Sequence, residues 1–71
     1  MYTERLLLAR EKRGISQKEL SETLGLKQQQ YARYEKGINI MPITQLKKIC
    51  IALDISADYI IGLTNKIKSY K

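Results

Sequence analysis

The sequence predicts an all-α fold, in which one compact domain is built from five short helices. Apolar residues recur at intervals of three and four, as they do on the buried face of a helix. Glycines at positions 14, 25 and 37 separate these periodic segments and are typical helix stops. No segment of strand length alternates apolar and polar residues between turn signals. The 71 residues suffice for one domain and not for two.

The first two helices follow from their capping and termination signals. The first is predicted over about residues 3–13 and ends at Gly14. The second begins after Ser16, because Ser16 and Glu19 have the spacing of a capping box, and it ends at Gly25. The predicted inward positions of these two helices are Leu6, Leu7, Ala9, Arg10, Leu20 and Leu24.

Three further helices are predicted after Gly25. The third spans about residues 28–36, the fourth about residues 42–53, and the fifth follows the N-cap candidate Ser56. Residues 1–64 are therefore expected to form the folded domain, and residues 65–71 a frayed basic tail. The predicted apolar positions here are Leu26, Tyr31, Tyr34, Leu46, Ile49, Cys50, Leu53, Tyr59, Ile60 and Leu63.

The composition favours a polyanionic partner and a reducing compartment. Lysine and arginine total 13 against seven acidic residues, which gives a net charge of +6. Such a basic field attracts polyanions but does not separate DNA, RNA and anionic lipid. The single cysteine excludes an internal disulfide, and neither a secretory signal nor an apolar run of membrane-spanning length is present in the sequence. We therefore expect a cytoplasmic protein with no membrane association.

Catalytic and cofactor chemistry lacks the residues that it needs. The sequence has no histidine, so nothing is available to activate Cys50 or to complete a metal site with it. It also has no paired carboxylates of plausible spacing and no glycine-rich phosphate loop. We expect no enzymatic activity, no cofactor, no metal and no small-molecule ligand.

The pattern that points to a function lies in residues 17–36. Two short helices are joined by a turn of three or four residues built on Gly25, and Ser21 is small where the helices must approach closely. In this helix-turn-helix pattern the first helix lies across the DNA backbone, and the second enters the major groove. The pattern favours base contact by at least one glutamine at the start of the second helix; without it, a solvated helix face would be the better interpretation.

The polar residues at the start of the third helix suit DNA reading better than helix capping. A glutamine side chain offers a donor and an acceptor, and it can pair with N6 and N7 of adenine. Lys27 would supply charge to a phosphate, Arg33 could reach a guanine or a phosphate, and Gln17 could bind a phosphate at the start of the second helix. The consecutive glutamines are Gln28, Gln29 and Gln30.

These residues resemble the phage-repressor type of helix-turn-helix protein, the Xre/Cro-like family with its lambda-repressor-like fold. The resemblance covers about residues 4–64 and agrees at a dozen spaced positions. It implies a salt bridge between Arg10 and Glu35 that joins the third helix to the first. It also implies phosphate or base contacts for Gln17, Gln28 and Gln29, and operator-dependent contacts for Gln30 and Arg33. The matching residues are Arg10, 13–20, 24–26, 28–31, 33–37, Pro42, Leu46, Ile49 and 56–59.

Three positions depart from the pattern of that family. Residues 38–41 are mostly apolar where relatives often carry lysine or arginine, so phosphate binding there should be weaker and should rely on backbone amides and Asn39. Lys27 stands where serine or threonine usually caps the third helix. Asp54 replaces the usual glycine at the end of the fourth helix; aspartate tolerates the left-handed conformation at some cost.

The resulting hypothesis is a transcriptional regulator of bacterial or phage type, a repressor that binds a near-palindromic operator on double-stranded DNA as a homodimer. The resemblance places the dimer contact in the fifth-helix region, with Ala57, Tyr59 and Ile61 as candidates. Ile60, Ile61 and Leu63 are left open between core and dimer surface, with more than one expected in the core. We expect the dimer to be weak in solution and strengthened on DNA.

The alternative hypothesis is a protein-interaction module of the same fold, such as an antitoxin-like partner or a subunit of a larger regulator. An acidic surface on the third helix would favour it. Lys27, Arg33 and Lys36 give that helix a basic surface instead, so the sequence favours DNA as the partner.

Overall fold

The computed structural model describes residues 2–70 and contains five helices in that part of the chain. The described residues form no strand, so the predicted all-α fold is confirmed. The longest helices have 11 residues, too few for any helix of the described chain to cross a bilayer. The helices are α1 (Tyr2–Lys12), α2 (Gln17–Leu24), α3 (Gln28–Lys36), α4 (Ile43–Leu53) and α5 (Ala57–Ile60).

One apolar core joins all five helices. Helix α3 packs against α1 and α2, while α4 packs against α2 and α5, and α5 also packs against α1. The two tyrosines of α3 and the cysteine of α4 are buried in this core, as the sequence predicts. The core residues are Leu6, Ala9, Leu20, Leu24, Tyr31, Tyr34, Ile49, Cys50, Leu53, Ile55, Tyr59 and Ile60.

Two predictions about the core are wrong. Leu7 is exposed because α1 meets the core along a narrow stripe through Leu6 and Ala9, and Leu7 lies about 100° around the helix from Leu6. Of the three residues Ile60, Ile61 and Leu63, only Ile60 is buried, whereas Ile61 and Leu63 are exposed. The single turn of α5 ends at Ile60, so the residues that follow leave the core.

All five helices end in the same way, with a Schellman motif. A residue with positive φ follows each helix, and the N–H of the next residue bonds to the carbonyl five positions earlier. Four of these residues are glycines, which adopt this conformation at little steric cost. The fifth is Asp54 at φ 52°, so the non-glycine stop at this helix end is confirmed. The reversals turn the chain sharply enough to pack five helices around one core.

The start of α2 has the predicted capping box. The Glu19 N–H donates to Ser16 Oγ at 3.0 Å, and the Ser16 N–H donates to Glu19 Oε1 at 3.2 Å. At the start of α5, Ser56 Oγ accepts a longer bond from the Tyr59 N–H at 3.4 Å. Helix α3 has no side-chain cap at Lys27, which is the departure that the sequence indicates. The Gln30 N–H bonds to the Lys27 carbonyl at 3.0 Å, and the N–H groups of Gln28 and Gln29 are left for another partner.

The C-terminal segment packs against the domain and does not fray as expected. The Ser56 N–H donates to the Lys68 carbonyl at 2.7 Å, and Ser69 Oγ donates to Asp54 Oδ1 at 2.6 Å. Ile67 also packs against the core, which gives the segment an apolar anchor. These contacts lie at the start of α5 and the end of α4, and Lys71 lies outside the described residues. Arg5 Nη2 of α1 donates to Asn65 Oδ1 at 2.6 Å, so the described contacts of this segment are with α1, α4 and α5.

Candidate nucleic-acid interface

Helix α3 has a buried face and an exposed polar face. Tyr31 and Tyr34 are one turn apart and fill the core between α1 and α2. Gln28, Gln29 and Gln30 are all exposed, as predicted. Because the tyrosines fix the rotation of the helix, the glutamines of its first turn stand on the outside of the domain.

A bidentate ion pair joins α3 to α1. Arg10 Nε donates to Glu35 Oε2 at 2.7 Å, and Arg10 Nη2 donates to Glu35 Oε1 at 3.2 Å. Arg10 Nη1 also donates to the Ile15 carbonyl at 2.9 Å, in the turn between α1 and α2. The two side chains are only 13% and 6% exposed. One guanidinium of α1 thus binds both α3 and the turn that precedes α2.

The surroundings of Glu35 hold it in the charged form. Burial alone would raise the pKa of Glu35, but hydrogen bonds from Arg10 and the positive charge of that residue lower it below the ordinary value. Gln17 Nε2 donates a further bond to Glu35 Oε1 at 3.2 Å. Burial and the adjacent carboxylate raise the pKa of Tyr31, whose hydroxyl has no well-formed hydrogen bond within the described chain. The tyrosine therefore stays neutral.

The bond to Glu35 changes what Gln17 can do. The sequence predicts a phosphate contact through its side chain or its backbone amide. One N–H of the side-chain amide is used by Glu35, which leaves the second N–H and the backbone N–H at the first position of α2. The ion pair therefore holds Gln17 at the start of α2, where helix N-termini bind anions.

Most of the predicted contact residues line two open clefts on α3. The first cleft, of about 300 Å³, lies between the start of α3 and the α3–α4 loop, and the second, of about 370 Å³, lies along the helix towards its end. Gln29 and Arg33 line both clefts, while Gln28 lines neither. The first is lined by Lys27, Gln29, Gln30, Arg33 and Asn39, and the second by Gln29, Ala32, Arg33, Lys36 and Ile38.

Three of the four arginines are used inside the protein, and sequence reasoning identified only Arg10 among them. Arg5 Nη1 donates to the Thr64 carbonyl at 2.8 Å, and its guanidinium lies 4.7 Å from the centre of the Tyr59 ring. Arg13 Nε donates to the Leu53 carbonyl at 2.8 Å, at the end of α4. Arg5 and Arg13 each lie four residues from the buried Ala9, which is the spacing of residues on one helix face. This spacing is the sequence signal that could have identified them. Within residues 2–70, Arg33 is the one arginine with no intramolecular hydrogen bond.

Comparison with known proteins agrees with this arrangement. A family model described as "Helix-turn-helix" matches residues 6–60, which include most of α1 and all of α2 to α5. The chain belongs to this helix-turn-helix family. No solved structure matches the chain significantly.

Three curated relatives resemble this helix-turn-helix chain over almost its whole length. An uncharacterized HTH-type transcriptional regulator of Bacillus subtilis, YobD, is 32% identical over 92% of the chain and 58% of its own length. The uncharacterized HTH-type transcriptional regulator y4wC of Sinorhizobium fredii is 37% identical over 93% of the chain and 47% of its own. The SPbeta prophage-derived regulator YonR of Bacillus subtilis is 33% identical, over 92% and 60% respectively. The chain thus spans about half to three-fifths of the length of these relatives.

The residues proposed for a dimer differ in exposure. Tyr59 is buried in the core beneath Arg5, so its ring is not available to a second copy. Ile61 is half exposed, and Leu63 is 73% exposed. Ala57 is partly buried and lines an apolar groove of about 270 Å³ between α4 and the C-terminal segment. The exposed apolar residues of this helix-turn-helix domain at the end of α5 therefore include Ile61 and Leu63, and Ala57 lies in the adjoining groove.

Replacing Lys27 by serine should move stability and DNA affinity in opposite directions. Lys27 occupies the N-cap position of α3 without a side-chain hydrogen bond, so Lys27→Ser should raise the free energy of unfolding by about 1 kcal/mol. If Lys27 binds a phosphate, as the sequence predicts, loss of its charge should reduce the dependence of log DNA affinity on log salt concentration by about 0.9. Urea denaturation and DNA titration at several salt concentrations measure the two effects. A stabilised variant with an unchanged salt dependence would show that Lys27 does not contact phosphate.

Proposed function

We propose that this protein is a sequence-specific DNA-binding transcriptional regulator that places α3 in the major groove. The observation that carries the proposal is the exposed face of α3. There the amide of Gln29 and the guanidinium of Arg33 line both clefts, and the amide of Gln30 lines the first. The side chain of Arg33 makes no hydrogen bond within the described residues. Held by its buried tyrosines and the ion pair to α1, this helix can present those groups without reordering. Preorganised donors and acceptors bind base edges at low entropic cost.

Each polar residue of the face has a role that its chemistry suits. Gln28 and Gln29 would pair with adenine, and Arg33 would donate two bonds to O6 and N7 of guanine. Gln30 would read a base that varies with the operator. Phosphate contacts fall to the cations and amides at the edges of the face, namely Gln17, Lys27, Lys36 and Asn39.

The start of α3 supports phosphate binding independently of side chains. Its first-turn N–H groups have no side-chain cap, and the helix dipole places partial positive charge there. No acidic residue occupies the first turn. A phosphate oxygen would therefore satisfy donors that this sequence leaves open, and the N-terminal glutamines would lie next to it, facing the bases.

The proposal includes a homodimer on a near-palindromic operator and a role as a repressor in the cytoplasm. Two copies of α3 must then lie one DNA turn apart, about 34–36 Å. The exposed apolar residues Ile61 and Leu63 near α5 supply a contact between copies. Because this patch is small, the dimer should be weak in solution and strengthened on DNA. Occupation of the operator excludes other proteins from the same DNA, which suffices for repression.

Selection of binding sites from random double-stranded DNA tests the proposal. We expect one recurring half-site that contains adenine and guanine, repeated with inverted symmetry at a spacing of one helical turn. Gel shifts should then show at least a thousandfold preference for the selected site over random DNA of the same length. Equal affinity for both at moderate salt would exclude sequence-specific binding. A protein partner that binds stoichiometrically and covers α3 would support the interaction-module alternative.

The dimer surface has its own test. Ile61→Glu should lower affinity for the full palindromic site about tenfold or more, because a buried unpaired carboxylate is costly, and leave binding to an isolated half-site almost unchanged. Leu8→Glu is the matched control, because Leu8 on α1 is 51% exposed and Ile61 is 50% exposed. The ratio of full-site to half-site affinity measures cooperativity without the general effect of added negative charge. If both variants change this ratio equally, Ile61 is not a dimer contact.

A further inference from the structure

An apolar residue follows the positive-φ residue at the end of each helix. Ile38, which holds this position after α3, is more exposed than most of the others. Ile15 and Leu26, after α1 and α2, pack against the core, and Ile55, after α4, is fully buried. Ile38, after α3, is 67% exposed, and Leu63, after α5, is 73% exposed. In three of the five motifs the apolar residue therefore packs against the core or within it. Ile38 does not, and it lies next to the proposed DNA-binding face of α3.

The sequence of α3 explains why Ile38 has no apolar partner. In a Schellman motif the apolar residue after the reversal commonly contacts the side chain five positions earlier. That position is occupied by Arg33, whose guanidinium does not bury an isoleucine. The Ile38 N–H donates to the Arg33 carbonyl at 3.0 Å, and the Asn39 N–H donates to the same oxygen at 3.3 Å. The backbone thus holds Ile38 in a fixed place beside the last turn of α3.

The cleft beside Ile38 contains the reading residues. Its walls are formed by Gln29, Ala32, Arg33, Lys36 and Ile38, so amide, guanidinium and aliphatic groups line one cleft with a volume of about 370 Å³. An exposed isoleucine in water is unfavourable, and covering it with another apolar group is favourable. In the major groove, base edges present one apolar group, the C5 methyl of thymine.

We propose that Ile38 contacts the C5 methyl group of a thymine and is a further specificity-determining residue of this protein. The inference rests on the proposed function, because it requires α3 to lie in the major groove. The methyl of an A·T pair lies on the strand opposite the adenine, so Ile38 reads a thymine near the bases that Gln29 and Arg33 contact. Residues 38–41 are mostly apolar where relatives often carry lysine or arginine. At the first of these positions, Ile38 would contact a base in place of a phosphate.

Deoxyuridine substitution tests the contact, because it removes the methyl group and leaves base pairing intact. In the selected site, each thymine of one half-site is replaced in turn. Wild-type protein should lose about fourfold in affinity at one thymine, the equivalent of about 0.8 kcal/mol. Ile38→Ala should bind the thymine site about fourfold more weakly and lose nothing further when that thymine becomes deoxyuridine. Leu8→Ala, a control at an exposed leucine of α1 that has no proposed role in binding, should keep the wild-type profile.

The outcomes separate the inference from the proposed function. If wild-type protein prefers the selected site but Ile38→Ala retains the same deoxyuridine penalty at every thymine, the methyl contact is wrong and the function stands. A uniform loss over all sequences would assign Ile38 to the sugar–phosphate chain and also overturn the inference. If wild-type protein does not distinguish selected from random DNA, both proposals fail. Thermal melting by circular dichroism should show Ile38→Ala folded as wild type, since the side chain is mostly exposed.

Discussion

Replacing Arg10 by methionine should lower the free energy of unfolding by about 3–5 kcal/mol. Removal of Arg10 leaves the Glu35 charge, which is 6% exposed, without its cation and with only the neutral amide of Gln17 as a hydrogen-bond donor. Methionine keeps the length of the arginine stem, so little packing is lost. A domain of this size has a total stability of roughly 0.05–0.15 kcal/mol per residue, so the variant should be marginally folded at best. Urea denaturation at neutral pH measures the loss.

The loss should depend on pH in a defined direction. In the wild type the pKa of Glu35 is lowered, so the charged pair stabilises the fold above the ordinary value of about 4.3, and this contribution is lost as pH falls through the lowered pKa. Without Arg10 the pKa of Glu35 rises, because burial continues to oppose the charge. The variant should therefore approach the wild type in stability as pH falls through the raised pKa of its Glu35 and then through the lowered pKa of the wild type. A constant difference from pH 3.5 to 7 would contradict this account.

A second substitution separates the charge from the packing. Arg10→Met combined with Glu35→Leu removes the stranded carboxylate and should recover much of the lost stability. Arg10→Met alone and Glu35→Leu alone complete the cycle, and the interaction energy comes from all four proteins. If Arg10→Met melts at the wild-type temperature, the ion pair contributes little, and another contact must hold α3.

The fold could be predicted because local signals and packing agree along most of the chain. Glycines 14, 25 and 37 stop the first three helices at the residues where the structure reverses, and Ser16 with Glu19 starts α2. Each of these signals acts over fewer than five residues, so sequence spacing alone contains it. Asp54 followed the same logic, since its position matches a family glycine and the structure has it in the left-handed conformation.

The errors occurred where the answer depends on long-range contacts. The expectation of a frayed tail missed the bond from the Ser56 N–H to Lys68 and the packing of Ile67, which no local pattern encodes. Arg5 and Arg13 were counted as part of the basic field, although they bind carbonyls more than 39 residues away. The orientation of Leu63 depended on how far the short α5 continues, which a few residues of pattern cannot determine.

The internal use of three arginines changes the interpretation of the net charge. Arg5 and Arg13 bind carbonyl groups at helix ends, and Arg10 is neutralised by Glu35. The cations left for a polyanion include lysines at several sites and Arg33, with Lys27, Arg33 and Lys36 on α3 itself. The sequence therefore gives the sign of the net charge and the three cations of α3, and the structure shows which arginines are bound within the protein.

The glutamines at the start of α3 should carry the largest effects on DNA recognition. Gln28→Ala or Gln29→Ala should each cost about 1–3 kcal/mol of binding free energy on the selected site, which is roughly 5- to 150-fold in affinity. Because Gln28 and Gln29 are both exposed, each variant protein should melt at the same temperature as the wild type. Because the residues are adjacent, the double variant should lose less or more than the sum, and the cycle measures that coupling.

Base reading and phosphate binding give different signatures for these variants. A glutamine that pairs with adenine needs the N7 acceptor, which 7-deazaadenine lacks. Replacing the contacted adenine by 7-deazaadenine should therefore lower the affinity of wild-type protein. The affinity of Gln29→Ala should not change. Lys36→Ala is the contrasting variant, because loss of a phosphate contact should weaken binding to all sequences and lower the salt dependence by about one. Gln29→Ala should leave the salt dependence unchanged, since a neutral side chain releases no counterion. If Gln29→Ala instead weakens binding equally on every sequence, the amide serves the backbone, and α3 reads its operator through Arg33 and Gln28.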